Sequence, residues 1–221
     1  MTLRGVPLSA ERNVAASPVW LRLVDMFRSG APVGPISVAV ERLEAGQWRA
    51  VEAPHELKPS GDLAFVNLGR VQREHAGRQF NLRVTVNADG TVSETSNGAP
   101  SMVLTVTTWA PEAPPASPPV REIRLFPGPD YRYGPGVPLL SGRVTHANGD
   151  PAGRAQVWAT ETVLGNPLTE EVRANDAGWF RLPLRWSSGS TQVNADRSGA
   201  SGSRTINVPA DLASVAGITI S

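Results

Sequence analysis

Three histidines, twenty acids and no cysteine are the raw material for chemistry in this 221-residue chain. His55, His75 and His146 stand apart in polar surroundings, without the close His/Glu spacing of a zinc site. With no cysteine there can be neither a disulfide nor a thiolate metal ligand. A nucleophile would have to be Ser or Thr, yet the chain holds no G-x-S-x-G turn and no glycine loop of the phosphate-cradling type. Asp89, Asp150 and Asp176 fall in turn sequences, where a carboxylate caps backbone donors; no D-x-D-x-D-G loop accompanies them to favour calcium. Glu170-Glu171 reads as a solvated face. The expectation is therefore a non-enzymatic protein with no catalytic, metal or cofactor-binding residue and no cofactor.

What remains is aromatic and guanidinium chemistry. Six tryptophans occur, and every basic residue except Lys58 is an arginine. Arginine suits bidentate and stacked contacts at protein interfaces, although a GC-rich genome produces the same bias. Alternation along a strand would set Trp158 opposite Val157, and Trp179 with Arg181 opposite Phe180 and Leu182. If the aliphatic side is the core, Trp158, Trp179 and Arg181 face outward, as an interface or a sugar-stacking platform. If the faces are reversed, the tryptophans are core. Pro127 to Pro138 is aromatic, basic and turn-rich, which makes Tyr131, Arg132 and Tyr133 further interface candidates. A net charge of +1 without a basic block argues against nucleic acid. No run of 18 apolar residues occurs, so no membrane-spanning helix is expected.

These side chains need a scaffold, and the punctuation of the chain describes one. Glycine (21) and proline (20) are spread throughout, favouring short strands and tight turns over helices. Strand character appears at 20–24, 36–40, 63–66, 80–86 and 102–106, then at 140–145, 155–160, 179–184, 192–195 and 217–220. Only 43–57 has room for a short helical turn. The proline-rich stretch Ala110 to Pro119 reads as a semi-rigid spacer between two nearly neutral halves. The expected organisation is an N-terminal β-sandwich module at 1–109, a linker with docking loop at 110–136, and a second module at 137–221. The fold class is all-β, two antiparallel sandwiches of transthyretin-like or Ig-like type.

The halves also echo each other. Gly30-Ala-Pro-Val-Gly34 with Ile36 and Val38 lines up with Gly149-Asp-Pro-Ala-Gly153 with Ala155 and Val157. Gly61 and Gly178 each precede a strand, and Val86-Asn-Ala-Asp89 recurs as Val193-Asn-Ala-Asp196. These matches, in the same order, point to a duplicated module. The glycines at 30, 34, 61, 149, 153 and 178 are then the turns that determine the fold.

The second half resembles the carboxypeptidase regulatory-like, or transthyretin-like, β-sandwich family. The residues that carry the resemblance run from Leu140-Ser-Gly-Arg-Val-Thr-His-Ala-Asn-Gly-Asp-Pro through Ala155-Gln-Val157 to Asn175-Asp-Ala-Gly-Trp-Phe-Arg-Leu182. Asn148-Gly149 has hairpin-turn chemistry, and Gly178 frees the backbone before Phe180 and Leu182. The first half fits more loosely, with Asp25 in place of the early glycine and Ser60-Gly61 in place of D-x-G. Related isopeptide-bonded adhesin sandwiches need a lysine near an asparagine and a buried acid. No lysine follows Lys58, which sits beside Pro59 in a loop-like stretch, so such a bond is not expected.

The resemblance implies a spacer, stalk or docking module and says little about partners. The expected role is a structural or adaptor subunit of a multiprotein assembly, by analogy a phage tail or contractile injection system component such as a baseplate subunit. The alternative is a carbohydrate-binding or surface-adhesion module that uses exposed tryptophans, with glycan as partner. The opening residues lack the pattern of a secretory signal, so synthesis in the cytoplasm is expected, followed by incorporation into a virion or injection particle. Other protein subunits are the expected partners, without nucleic acid or membrane insertion.

Overall fold

Two-residue turns in which both residues take positive φ set the frame of the molecule. The computed structural model describes residues 16–116, 120–186 and 188–221. Its strands are β1 (Trp20–Asp25), β2 (Ile36–Glu44), β3 (Gln47–Ala50), β4 (Glu56–Leu57), β5 (Asp62–Ala64), β6 (Gln79–Ala88), β7 (Thr91–Thr95), β8 (Met102–Thr107) and β9 (Arg121–Pro127). They continue as β10 (Leu139–His146), β11 (Gln156–Val163), β12 (Asn166–Arg173), β13 (Trp179–Pro183), β14 (Gly189–Arg197), β15 (Ala200–Val208) and β16 (Ala216–Ile220). Ala45-Gly46, Leu164-Gly165 and Ser198-Gly199 close the β2–β3, β11–β12 and β14–β15 hairpins with φ of 49° and 80°, 49° and 81°, and 54° and 89°. Such turns match the right-handed twist of the flanking strands. The stretch 43–57, expected to allow a helical turn, is strand and hairpin through residue 50 and strand again at Glu56–Leu57, because Ala45-Gly46 reverses the chain there.

Each half is a sandwich around its own core. One core draws on residues from Val19 to Leu125, the other on residues from Leu140 to Ile220. In the first, sheet β4-β5-β1-β9-β7 packs on sheet β3-β2-β6-β8; in the second, β13-β10-β16 packs on β12-β11-β14-β15. The orders β5-β1-β9 and β13-β10-β16 correspond, as do β3-β2-β6-β8 and β12-β11-β14-β15. In both modules the first strand pairs parallel with the last, so neither sandwich is wholly antiparallel. This shared, non-local topology is a stronger sign of duplication than the sequence matches. β4 and β7 have no counterpart in the second module.

The equivalences can be read residue by residue. Gly61 and Gly178 take φ of +84° and +79°, and each accepts from the first strand of its sandwich, Leu23 N at 3.0 Å or Val144 N at 2.9 Å. A Cβ on either would lie 2.9 Å from Leu23 O or 2.4 Å from Val144 O, so only glycine fits. Gly34 and Gly149 also take positive φ, whereas in the turn at Gly30 the positive φ falls on Ser29. Two sequence matches are shifted. Leu21, not Asp25, occupies the place of Gly142, because Leu21 pairs with Leu63 where Gly142 pairs with Phe180. Val193 corresponds to Val84 rather than Val86, since they pair with the equivalent residues Ala159 and Val40.

The proline-rich stretch is not the spacer between the modules. It joins β8 to β9, two strands of the same sandwich in opposite sheets, as 209–215 joins β15 to β16 in the second. Residues 121–127, read from sequence as linker, form β9 in the middle of a sheet between β1 and β7. Residues 117–119 of the stretch lie outside the described residues. The connection between modules is the short segment 128–138.

Candidate functional site

Where that connection runs, aromatic and charged side chains from both modules converge. Tyr131 is buried, and its hydroxyl donates to the buried Asp25 carboxylate at 2.7 Å. The same carboxylate accepts from the backbone N–H of Phe27 and Arg28 at 3.0 and 3.1 Å. Burial, and then Asp25, pushes the Tyr131 phenol up to about 12. Phe27, Tyr131 and Tyr133 stack edge to face, with centroids 4.9 to 5.7 Å apart. Across the joint, Tyr133 donates to Arg181 O at 3.0 Å, Arg181 donates to Pro129 O at 3.2 Å, and Arg185 lies 4.7 Å over the Phe27 ring.

A second set of contacts fixes the modules along β7. Arg173 is buried, makes a two-pronged ion pair with Glu94 at 2.7 and 3.1 Å, and lies 3.9 Å over the Phe126 ring. It also pairs with Glu171. Burial alone would lower the Arg173 pKa, but the two carboxylates outweigh it and raise it. Arg154 donates to Ser93 O. Ser93 and Glu94 belong to β7, the strand the second module lacks, so an element that breaks the repeat supplies part of the joint. Removing Arg173 leaves Glu94 in a partly buried site without its fork. Arg173→Ala is expected to cost about 2 kcal/mol, short of the roughly 3–5 kcal/mol of a fully buried pair. The measurement is a thermal melt of the whole chain, in which one transition becomes two; an unchanged single transition would mean the joint does not couple the modules.

The sequence-based candidates thus divide. Tyr131, Tyr133 and Arg181 serve the joint within the chain and are not free anchors for a partner. They were legible as docking residues, but which surface they dock on was not. Arg132 stays exposed, 3.5 Å from Asp89. Val157, Phe180 and Leu182 are buried and Trp158 is half-buried, while Trp179 is 39% exposed. Arg143 lies 5.7 Å over the Trp179 ring. Trp186, one of the six tryptophans but not among the sequence-based candidates, is the more open at 53%.

Glu170-Glu171 is no solvated face. Glu170 is buried and paired with Arg185, and burial raises its pKa despite that partner. The turn beside Asp176 is capped by Asn175, whose Oδ1 accepts from Ala177 N and Trp179 N at 3.0 Å each. Among the described residues no group of three or more His, Asp or Glu is placed to hold a metal ion.

Fold and joint together define an all-β protein of two sandwich modules held by a charged and aromatic contact. No protein-family model matches the chain, and no curated protein does. Among solved structures, a streptococcal ancillary pilin aligns at 10% identity and a TM-score of 0.33, over 95% of this chain and 63% of that one. The major pilin of Streptococcus pyogenes aligns at 12% identity and a TM-score of 0.20, over 91% and 95%, and a mutant of it at 10% and 0.23, over 91% and 96%. At such TM-scores these likenesses carry no argument about this chain.

Proposed function

We propose that the chain is a non-enzymatic structural subunit of a multiprotein assembly. The observation that carries this reading is the joint: buried Arg173 and the Phe27–Tyr131–Tyr133 cluster fix two sandwiches as one strut, where a flexible linker would have let them move. A strut holds two surfaces at a set spacing, which is what an adaptor between larger components needs. Within that reading a phage tail or contractile injection particle is the assembly we favour, since a cysteine-free chain suits assembly in a reducing compartment. The matching topology of the two modules is consistent with descent of both from a transthyretin-like unit.

Exposed Trp179 and Trp186 favour the second reading, a carbohydrate-binding module. Trp179→Ala with Trp186→Ala, read in parallel for co-sedimentation with the native particle and for glycan-array binding, separates the two. Loss of co-sedimentation with no glycan signal is the expected result. Saturable glycan binding by an unassociated monomer, lost in the double variant, would overturn the subunit reading.

A further inference from the structure

The two sandwiches share a topology but not the treatment of one end. In the second module, position 161 closes that end: Glu161 is buried, and its carboxylate accepts from Trp186 N at 3.3 and 3.4 Å. In the first module the equivalent residue is Arg42, on the core-facing side of β2, and its side chain is 48% exposed. Here the end stands open as a cavity of about 500 Å³, floored by Val51, Leu68, Phe80 and Leu82. Its rim carries Arg70, Arg78 and His75 beside the acid Glu52, together with Arg42, which pairs with Glu44 at 3.8 Å. Arg70 and Arg78 make no ion pair among the described residues.

The loop that carries this rim is held in place. Val71 N donates to Trp109 O and Trp109 N to Gly69 O, each at 2.9 Å, and the indole Nε1 donates to Leu68 O at 2.9 Å. The Thr108 hydroxyl accepts from Arg78 N at 3.0 Å and donates to His75 O at 2.8 Å. Such preorganisation lowers the ordering cost of binding. The cavity lies at the end of β2 and β6 away from the Ile36–Ala88 pair, which adjoins Asp89 and the Tyr131 loop. It therefore faces away from the joint.

We propose that this open end docks an acidic polypeptide segment of a partner protein, with an apolar side chain on the floor and carboxylates on Arg70 and Arg78. Guanidinium groups pair with carboxylates through parallel hydrogen bonds, and two arginines without ion-pair partners match that chemistry. A sugar is the poorer fit, because Arg42 sits 4.7 Å over the Phe80 ring and covers the face on which a pyranose would stack. The proposal deepens the subunit reading by naming a surface and the chemistry of its partner. Its test needs no particle, so the two can fail separately.

The probe is a fluorescein-labelled heptapeptide alternating glutamate with leucine, titrated into the full chain and followed by fluorescence polarisation. Saturable binding that weakens with salt is expected, with little from the matching lysine–leucine peptide. Arg70→Glu with Arg78→Glu should weaken it roughly tenfold or more. Both side chains are exposed, so an unchanged melt checks the fold, and Arg70→Ala serves as a milder second variant. No binding, equal binding by the variants, equal binding of the lysine peptide, or binding of heparin alone would each overturn the proposal.

Discussion

A chain cut at residue 116 is expected not to fold, although the proline-rich stretch looks like the natural place to divide it. The cut removes β9, whose Leu125 is fully buried and whose Ile123 and Phe126 are nearly so. It strips β1 of its parallel partner and β7 of the only strand it pairs with among the described residues, and it leaves one sheet in two pieces. An opened sheet loses a ladder of backbone hydrogen bonds and exposes its inner face, which together exceed the margin of about 5–15 kcal/mol that holds a domain folded. A fragment ending at 136 keeps β9 and the Tyr131–Asp25 bond. The expected outcome is an unfolded far-UV spectrum for 16–116, and cooperative β-type unfolding for both 16–136 and 137–221. Cooperative folding of 16–116 would show that β9 is dispensable.

Phe180→Ala carries the second large effect. Phe180 pairs across the ladder with Gly142, and a Cβ placed on Gly142 would lie 2.3 Å from the Phe180 ring. The ring therefore fills the space that the missing side chain leaves. In the first module the same pair is Leu21 with Leu63, two medium side chains in place of one large and none. Truncating Phe180, 1% exposed, opens a cavity that Gly142 cannot fill. The expected loss is about 3–5 kcal/mol, read as a fall in the denaturant midpoint at constant slope. Trp179→Ala, one residue away on the outer face, should cost under about 1 kcal/mol. If the two costs came out in the reverse order, the assignment of the inner face of β13 would be wrong.

Local chemistry in the chain determined a good deal. Alternation limited a strand such as β13 to two facings, because successive side chains go to opposite sides whatever it pairs with; burial selected the one with Phe180 and Leu182 inward. Glycine punctuation marked turns such as Gly61 and Gly178, because positive φ excludes a Cβ on steric grounds alone. The Ala45-Gly46 and Leu164-Gly165 turns were equally local signals, in matching places in the two modules, and they would have revealed β3 and β12.

What the sequence left open depended on residues far apart in it. That β9 inserts between β1 and β7 follows from parallel pairing across a hundred positions of chain, about which proline content carries no information. The burial of Glu170, which reads as surface, and of Arg173 depends on Arg185 and Glu94 being brought beside them. Tyr131 and Tyr133 have the composition of an interface, and they form one, but only the packing of the modules decided that its other side is Asp25 and Arg181 of the same chain. A side chain's type states which contacts it can make; which contact it does make is set by what the tertiary fold places within about 3 Å of it.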